Sequence, residues 1–138
     1  MELRICYEDT DAGGVVYYGK YLRYLEQGRT EFLRERGLSV LAMHEQGYLI
    51  PVIRVEIDYL AFALLDDLIR VDTSVKEIKG ATFTLEQKVI RVTDGAILVD
   101  ALVTLAYIGP GKKPRRVPKD LLAVLRQDMS MQQTKMEL

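Results

Sequence analysis

A chain of 138 residues with a formal net charge of −1 has no electrostatic surplus with which to attract nucleic acid or an anionic membrane. Its single cysteine excludes an intrachain disulfide, and with a single histidine beside it a zinc site lacks ligands. Hydrophobic residues make up 49% and charged residues 28%, ordinary values for one globular domain spanning 1–138.

Residues 2–7, ELRICY, alternate and predict a short strand, on which Cys6 is expected as a small buried side chain. The stretch YEDTDAGG follows at 7–14, setting Glu8, Asp9 and Asp11 beside Gly13 and Gly14. A helix is predicted from about Tyr17 to Arg36, because Tyr18, Tyr21, Leu22, Leu25, Phe32 and Leu33 recur at helical spacing. Gly28 falls inside that stripe, and close packing on a sheet is the use that offsets its poor helix propensity. Gly37 ends the helix as a C-cap. His44 lies beyond it, in LAMHEQGY, and reads as a partly exposed residue at a helix end or loop.

From there the period changes to two. Ile53, Val55, Ile57 and Tyr59 alternate with Arg54, Glu56 and Asp58, and Ile69, Val71, Thr73 and Val75 alternate with Arg70, Asp72, Ser74 and Lys76. Lys79-Gly80 turns the chain into ATFTLEQKVIRV, and Asp94-Gly95 reads as a two-residue hairpin. AILVDALVTLAYI, at 96–108, is apolar at nearly every position, as in a strand covered on both faces. Pro110, Gly111 and Pro114 break the pattern, and Pro118 starts a short C-terminal helix through Leu125, with a frayed tail over about 127–138. No apolar run approaches the ~20 residues of a membrane span and no signal-peptide pattern opens the chain, so a cytoplasmic protein is expected.

The expected class is α+β: one long helix held against about five strands, four of them in consecutive antiparallel hairpins. A strand apolar on both sides then has no second layer within the chain. A second copy supplies one, which predicts a homodimer or a dimer of dimers.

The chemistry is narrowed by elimination. A Ser-His-Asp or Cys-His relay has to use His44, and no phosphate-cradling or dinucleotide-binding glycine motif is present. What remains is a carboxylate beside a helix N-terminus, where amides without internal partners can hold an anion such as an acyl-transfer oxyanion. Gly13 and Gly14 leave room for a ligand to approach the main chain; the structural alternative is that Asp9, Thr10 or Asp11 merely caps a turn. A carboxylate with such a donor and no histidine suits thioesters. A thiol has a pKa of about 8.5 and departs as thiolate without a donated proton. Asp11 then serves as nucleophile or as general base toward water.

The run YEDTDAGGVVYYGKYLRYLEQGRTEFLRERG resembles the signature of the 4-hydroxybenzoyl-CoA thioesterase-like branch of the hotdog-fold acyl-CoA thioesterases, closest to the bacterial Tol-Pal-associated members. IRVEIDYLAFALLDD and EIKGATFTLEQKV are similar to further segments of that family, so the likeness runs from Leu3 to about Leu125. It implies a five-stranded antiparallel sheet wrapped around a central helix, dimers with a continuous sheet, tetramers of these, and active sites between subunits. It also implies acyl-CoA as substrate, with acyl carrier protein thioesters as a further class and no cofactor beyond the CoA of the substrate. On the matching positions, Asp11 falls on the catalytic aspartate and Tyr18 on the residue whose backbone N–H polarises the thioester carbonyl. Tyr17 falls on the acyl-pocket wall, Gly14 on the substrate loop, and Lys79, Gly80 and Ala81 on a turn that holds the CoA nucleotide in some members. No metal ligands are implied. The closest bacterial members carry histidine where this chain has Tyr18, and some relatives have a basic cluster where it offers Lys79. A non-catalytic acyl-CoA-binding scaffold of the same fold is the alternative reading; a dehydratase of this fold needs an active-site histidine, and His44 lies outside the loop.

Among the other residues, Glu26 is expected to pair with Arg29, and the tyrosines 17, 18, 21 and 24 to serve packing and interface. KKPRR at 112–116 reads as a solvated basic loop, with phosphate contact as the alternative.

Overall fold

The structure is a computed structural model that describes residues 1–137. In chain order it comprises β1 (Glu2–Arg4), a 3-10 turn (Tyr7–Asp9), α1 (Lys20–Glu35), α2 (Val40–Glu45) and β2 (Val52–Tyr59). Then come β3 (Leu68–Lys79), β4 (Thr82–Arg91), β5 (Ile97–Ala106), β6 (Ile108–Gly109), β7 (Lys113–Pro114) and α3 (Lys119–Glu137). Five strands form one antiparallel sheet in the order β1-β3-β4-β5-β2. Its inner face packs Val71, Leu85, Val89, Val99 and Val103 against Tyr21, Leu25, Phe32 and Leu33 of α1. The α+β class and the wrapped helix are therefore as expected.

Gly28 shows how tight this contact is. A Cβ there would stand 2.5 Å from Val71 Cγ1 and 3.1 Å from Val71 Cβ. Gly28→Ala gains up to about 1 kcal/mol of helix propensity, but overpacking costs about 1–3 kcal/mol. A net loss of stability is expected, larger for Gly28→Val, read as a lower urea midpoint at unchanged slope.

Several boundaries differ from the sequence expectation. β1 ends at Arg4, and Cys6 lies beyond it and is exposed. Its N–H turns back to the Asp9 carboxylate at 3.2 Å, which starts the 3-10 turn. Helix α1 starts at Lys20 rather than Tyr17. The turn at Asp94-Gly95 is not a two-residue hairpin: β4 stops at Arg91 and β5 resumes at Ile97, with the Gly95 N–H on the Arg91 carbonyl at 2.8 Å. Within the five-stranded sheet, β3, β4 and β5, three strands rather than four, are joined as consecutive hairpins. β2 pairs with β5 at the far edge, so residues 60–67 cross the end of the sheet to reach β3. Leu102 and Thr104, on the outer face of β5, are half-buried in a single chain rather than covered.

The largest difference is the C-terminus, where α3 runs to Glu137 instead of ending near Leu125. Leu121, Leu125, Asp128 and Gln132 recur on one face at helical spacing, the first three buried and the last half-buried. The register of β3 shifts between Val75 and Glu77, and the Val75 N–H donates to Asp128 Oδ2 at 2.8 Å instead of to a strand. Gln132 Nε2 donates to the Val75 carbonyl at 3.1 Å, and Arg36 at the end of α1 reaches Asp128 Oδ1 at 3.4 Å. The polar composition that reads as a frayed tail is what satisfies a strand irregularity. Asp128→Ala leaves a buried N–H unpaired and is expected to cost about 1–3 kcal/mol in chemical denaturation, with Asp128→Asn milder because one oxygen remains.

Candidate active site

The loop before α1 is a small hairpin. Thr10 bridges Val16, the Asp11 N–H donates to the Val15 carbonyl at 2.9 Å, and the Gly14 N–H returns to the Asp11 carbonyl at 3.0 Å. Gly14 sits at φ +79°, a conformation side-chain-bearing residues avoid. Asp11 Oδ1 accepts from the Gly13 N–H at 2.8 Å, closing a local turn of its own. The carboxyl of Asp11 is exposed in one chain. The hairpin is pinned to the crossing segment: Val15 bridges Leu64, and the Val16 N–H meets the Ala63 carbonyl at 2.9 Å. That segment is held in turn by Arg91, which donates to the Phe62 carbonyl at 2.8 Å and to Asp67 at 3.2 Å.

Between the hairpin and the helix the chain makes one tight turn. The Tyr17 N–H donates to the Asp9 carbonyl at 3.0 Å, the Lys20 N–H to the Tyr17 carbonyl at 2.9 Å, and the Tyr21 N–H to the Tyr18 carbonyl at 3.3 Å. The amides of Tyr18 and Gly19 have no acceptor among the described residues. Two N–H groups at the mouth of a 16-residue helix, with its dipole behind them, favour a partial negative charge there. The Tyr17 and Tyr18 rings lie 4.7 Å apart between centroids, tilted by 44°, and Tyr59 at the end of β2 meets the Tyr18 ring edge-on at 6.2 Å. Tyr59 also donates to the Tyr18 carbonyl at 3.4 Å. All three rings are exposed in one chain, together with Leu60, Phe62, Leu64 and Leu65.

Asp9 behaves differently from the other loop acids. It is buried, with Oδ2 on the Cys6 N–H and Oδ1 4.0 Å from Lys20 Nζ. The Tyr24 hydroxyl is buried beneath it without a hydrogen-bond partner; burial first, and the Asp9 charge second, push this phenol well above its usual range.

The expected nucleotide turn lies elsewhere. Lys79, Gly80 and Ala81 stand where β3 meets β4, at the opposite end of β3 from the hairpin. Eleven residue steps separate Leu68 from Lys79, about 36 Å of strand, so one chain does not bring these residues to Asp11. Lys79 Nζ pairs with Glu77 at 3.3 Å, and the Gly80 and Ala81 carbonyls accept from Val117 and Tyr107. His44 is exposed in the last turn of α2. Glu26 does not form the expected ion pair. Arg29 instead donates to the buried Gln87 at 3.1 Å, and its pKa is lowered by burial and only partly restored by Glu26. Both line a cavity of about 300 Å³ under the start of β2, walled by Leu33, Val52, Phe83 and Leu105. Sequence reading missed Asp9, Tyr59 and this cavity. The signal for Tyr59 was its place at the end of an alternating strand; nothing local marks Asp9 as the buried acid.

The sheet, the central helix and the loop at its mouth define a class. The chain belongs to the thioesterase-like superfamily, whose family model matches residues 7–125, and its architecture is the hotdog fold. It is 44% identical over 123 residues to the acyl-CoA thioesterase YbgC of Haemophilus influenzae, covering 88% of this chain and 89% of that protein. It is 34% identical over 126 residues to the acyl-CoA thioester hydrolase YbgC of Escherichia coli O6:H1, covering 91% and 93%. The DHNA-CoA thioesterase of Staphylococcus aureus superposes with a TM-score of 0.89 over 98% of this chain and 93% of that one. At 21% identity that likeness shows the shared fold.

Proposed function

We propose that this protein hydrolyses acyl-CoA thioesters, with Asp11 as the reacting carboxylate and the Tyr18 N–H as the donor to the thioester oxygen. The observation that carries this reading is the pair of amides at Tyr18 and Gly19 without acceptors, beside the hairpin that presents Asp11. As nucleophile, Asp11 adds to the carbonyl carbon, CoA leaves as thiolate, and water cleaves the resulting anhydride to acid and free Asp11. As base, it takes the proton of the attacking water while the same thiolate departs. Label found in Asp11 after one turnover in ¹⁸O water identifies the nucleophilic route, since it enters only when water opens the anhydride at the Asp11 carbonyl. The tyrosine at position 18 brings no imidazole, so the carboxylate alone handles the proton.

The site is completed by a second copy. β2 is an edge strand with Ile53, Val55 and Tyr59 exposed, and an edge that pairs with itself about a two-fold axis is antiparallel. That pairing sets the Val52 end of one β2 beside the Tyr59 end of the other. The Lys79–Ala81 turn lies at the Val52 end of its own sheet, since Thr82 pairs with Ala106 and Val52 with Leu105. In this reading the turn stands at the same end of the paired sheet as the partner's reacting loop, the CoA nucleotide extends toward it, and Tyr17 lines the acyl path. A dimer of such dimers in the cytoplasm, with acyl carrier protein thioesters as a second substrate class, belongs to the same reading. No helix among the described residues is long and apolar enough to cross a membrane.

A panel of short, medium, long and aromatic acyl-CoAs with a thiol-reactive dye tests the activity. Stoichiometric thiol release with turnover supports it; tight binding without thiol release supports a scaffold instead.

A further inference from the structure

We infer that Asp9 is the positioning residue that aims the Tyr18 amide at the substrate carbonyl, an inference that rests on the reading of Tyr18 as donor. Asp9 stands apart from Glu8 and Asp11 in being buried, 7% exposed. Holding a carboxylate there is costly unless its oxygens are used.

They are used in a way that joins three pieces of chain. Oδ2 accepts from the Cys6 N–H at 3.2 Å and fixes the 3-10 turn that leads into the hairpin. Oδ1 faces Lys20 Nζ at 4.0 Å on the first turn of α1. The buried Tyr24 hydroxyl, one turn further along the helix, has no hydrogen-bond partner and sits within the influence of the same charge. The side chain thus ties the turn before the hairpin to the helix after it.

The main chain of the same residue performs the aiming. The Asp9 carbonyl takes the Tyr17 N–H at 3.0 Å, which engages one amide and leaves the next, at Tyr18, without an internal acceptor. Capping the 3-10 turn needs a single oxygen on Cys6. The contact with Lys20 and the carbonyl on Tyr17 exceed that need, and together they set where the Tyr18 N–H stands relative to Asp11. A shift of about 1 Å in such a donor is enough to cost on the order of a hundredfold in rate.

The test uses the native full-length protein and an Asp11→Asn variant that retains bound benzoyl-CoA. In Asp11→Asn the thioester carbonyl stretch moves to lower wavenumber on binding, the signature of a hydrogen bond from Tyr18. Adding Asp9→Ala removes most of that shift while benzoyl-CoA still binds within about threefold. In the otherwise native protein, Asp9→Ala lowers kcat by about tenfold to a hundredfold with KM within threefold. Asp9→Asn, which keeps an oxygen for Cys6, recovers part of the loss. A folded Asp9→Ala protein with native kcat, or with the full carbonyl shift, overturns the inference. Should Asp9→Ala not fold, Asp9→Asn decides: partial loss of kcat and of the shift supports the role, and native values for both refute it. If Asp11→Asn alone binds benzoyl-CoA with no carbonyl shift, the donor assigned to Tyr18 is wrong, and the role of Asp9 falls with it.

Discussion

Asp11→Asn is expected to lower kcat for thioester hydrolysis by about 100- to 10,000-fold, the range for loss of a positioned acid-base group, while leaving the melting temperature almost unchanged. The two halves of this expectation come from different features of one side chain. Oδ1 of Asp11 accepts from the Gly13 N–H at 2.8 Å, and the amide oxygen of asparagine can accept the same bond, so the hairpin keeps its shape. The residue is exposed in one chain, and exposed substitutions without a structural role stay within about 0.5 kcal/mol. What asparagine lacks is the anionic oxygen, needed both for attack on a carbonyl and for accepting a proton from water. Asp11→Glu moves that oxygen by one methylene and is expected to retain activity above the asparagine level but below native. Native turnover in Asp11→Asn would remove this residue from the mechanism.

The second large effect concerns the β2 edge. Val55 lies at the middle of the strand and shares its face with Val103 of β5, yet it is exposed in one chain because no strand continues the sheet outward. A symmetric pairing brings each such residue near its own copy. Val55→Glu therefore places two like charges close together at a desolvated edge, without touching the fully buried core. The variant is expected to sediment as a monomer at micromolar concentration and to lose at least about 100-fold in kcat/KM, because the partner's Lys79–Ala81 turn no longer completes the proposed site. Its secondary structure by circular dichroism stays native. A monomer with full activity would show that one chain holds the whole site.

The sequence carried most of the fold because its period is informative where the burial is one-sided. The alternation over 68–78 and the helical stripe from Tyr21 to Leu33 both correspond to buried faces in the structure. Reading failed where polar residues serve backbone geometry. The run SMQQTKME looks solvated, yet Asp128 and Gln132 just before and within it satisfy the irregularity at Val75. The loop before α1 posed the same difficulty on a smaller scale. Three acids stand within four positions, and their burial differs through contacts with Lys20 and Tyr24 that lie a helix turn or more away. The place of β2 was also hidden, since the partner of an edge strand depends on which way residues 60–67 cross, and their anchor Arg91 is remote in sequence. Asp11, Tyr17 and Tyr18 were singled out through motif likeness, and the structure puts all three on the hairpin and turn that lead into α1. Their separation from Lys79, at the far end of β3, is not legible in any local pattern, because it depends on how the sheet is laid out.

The most direct test is a crystal structure of the protein with a CoA analogue in which a methylene replaces the thioester sulfur, leaving an unreactive ketone. The ketone oxygen is expected about 2.7–3.1 Å from the Tyr18 nitrogen, with the Asp11 carboxylate facing the carbonyl carbon and the nucleotide on the partner's Lys79–Ala81 turn. A ketone oxygen held by other groups, with Asp11 turned to bulk solvent in the assembled protein, would contradict the proposed mechanism.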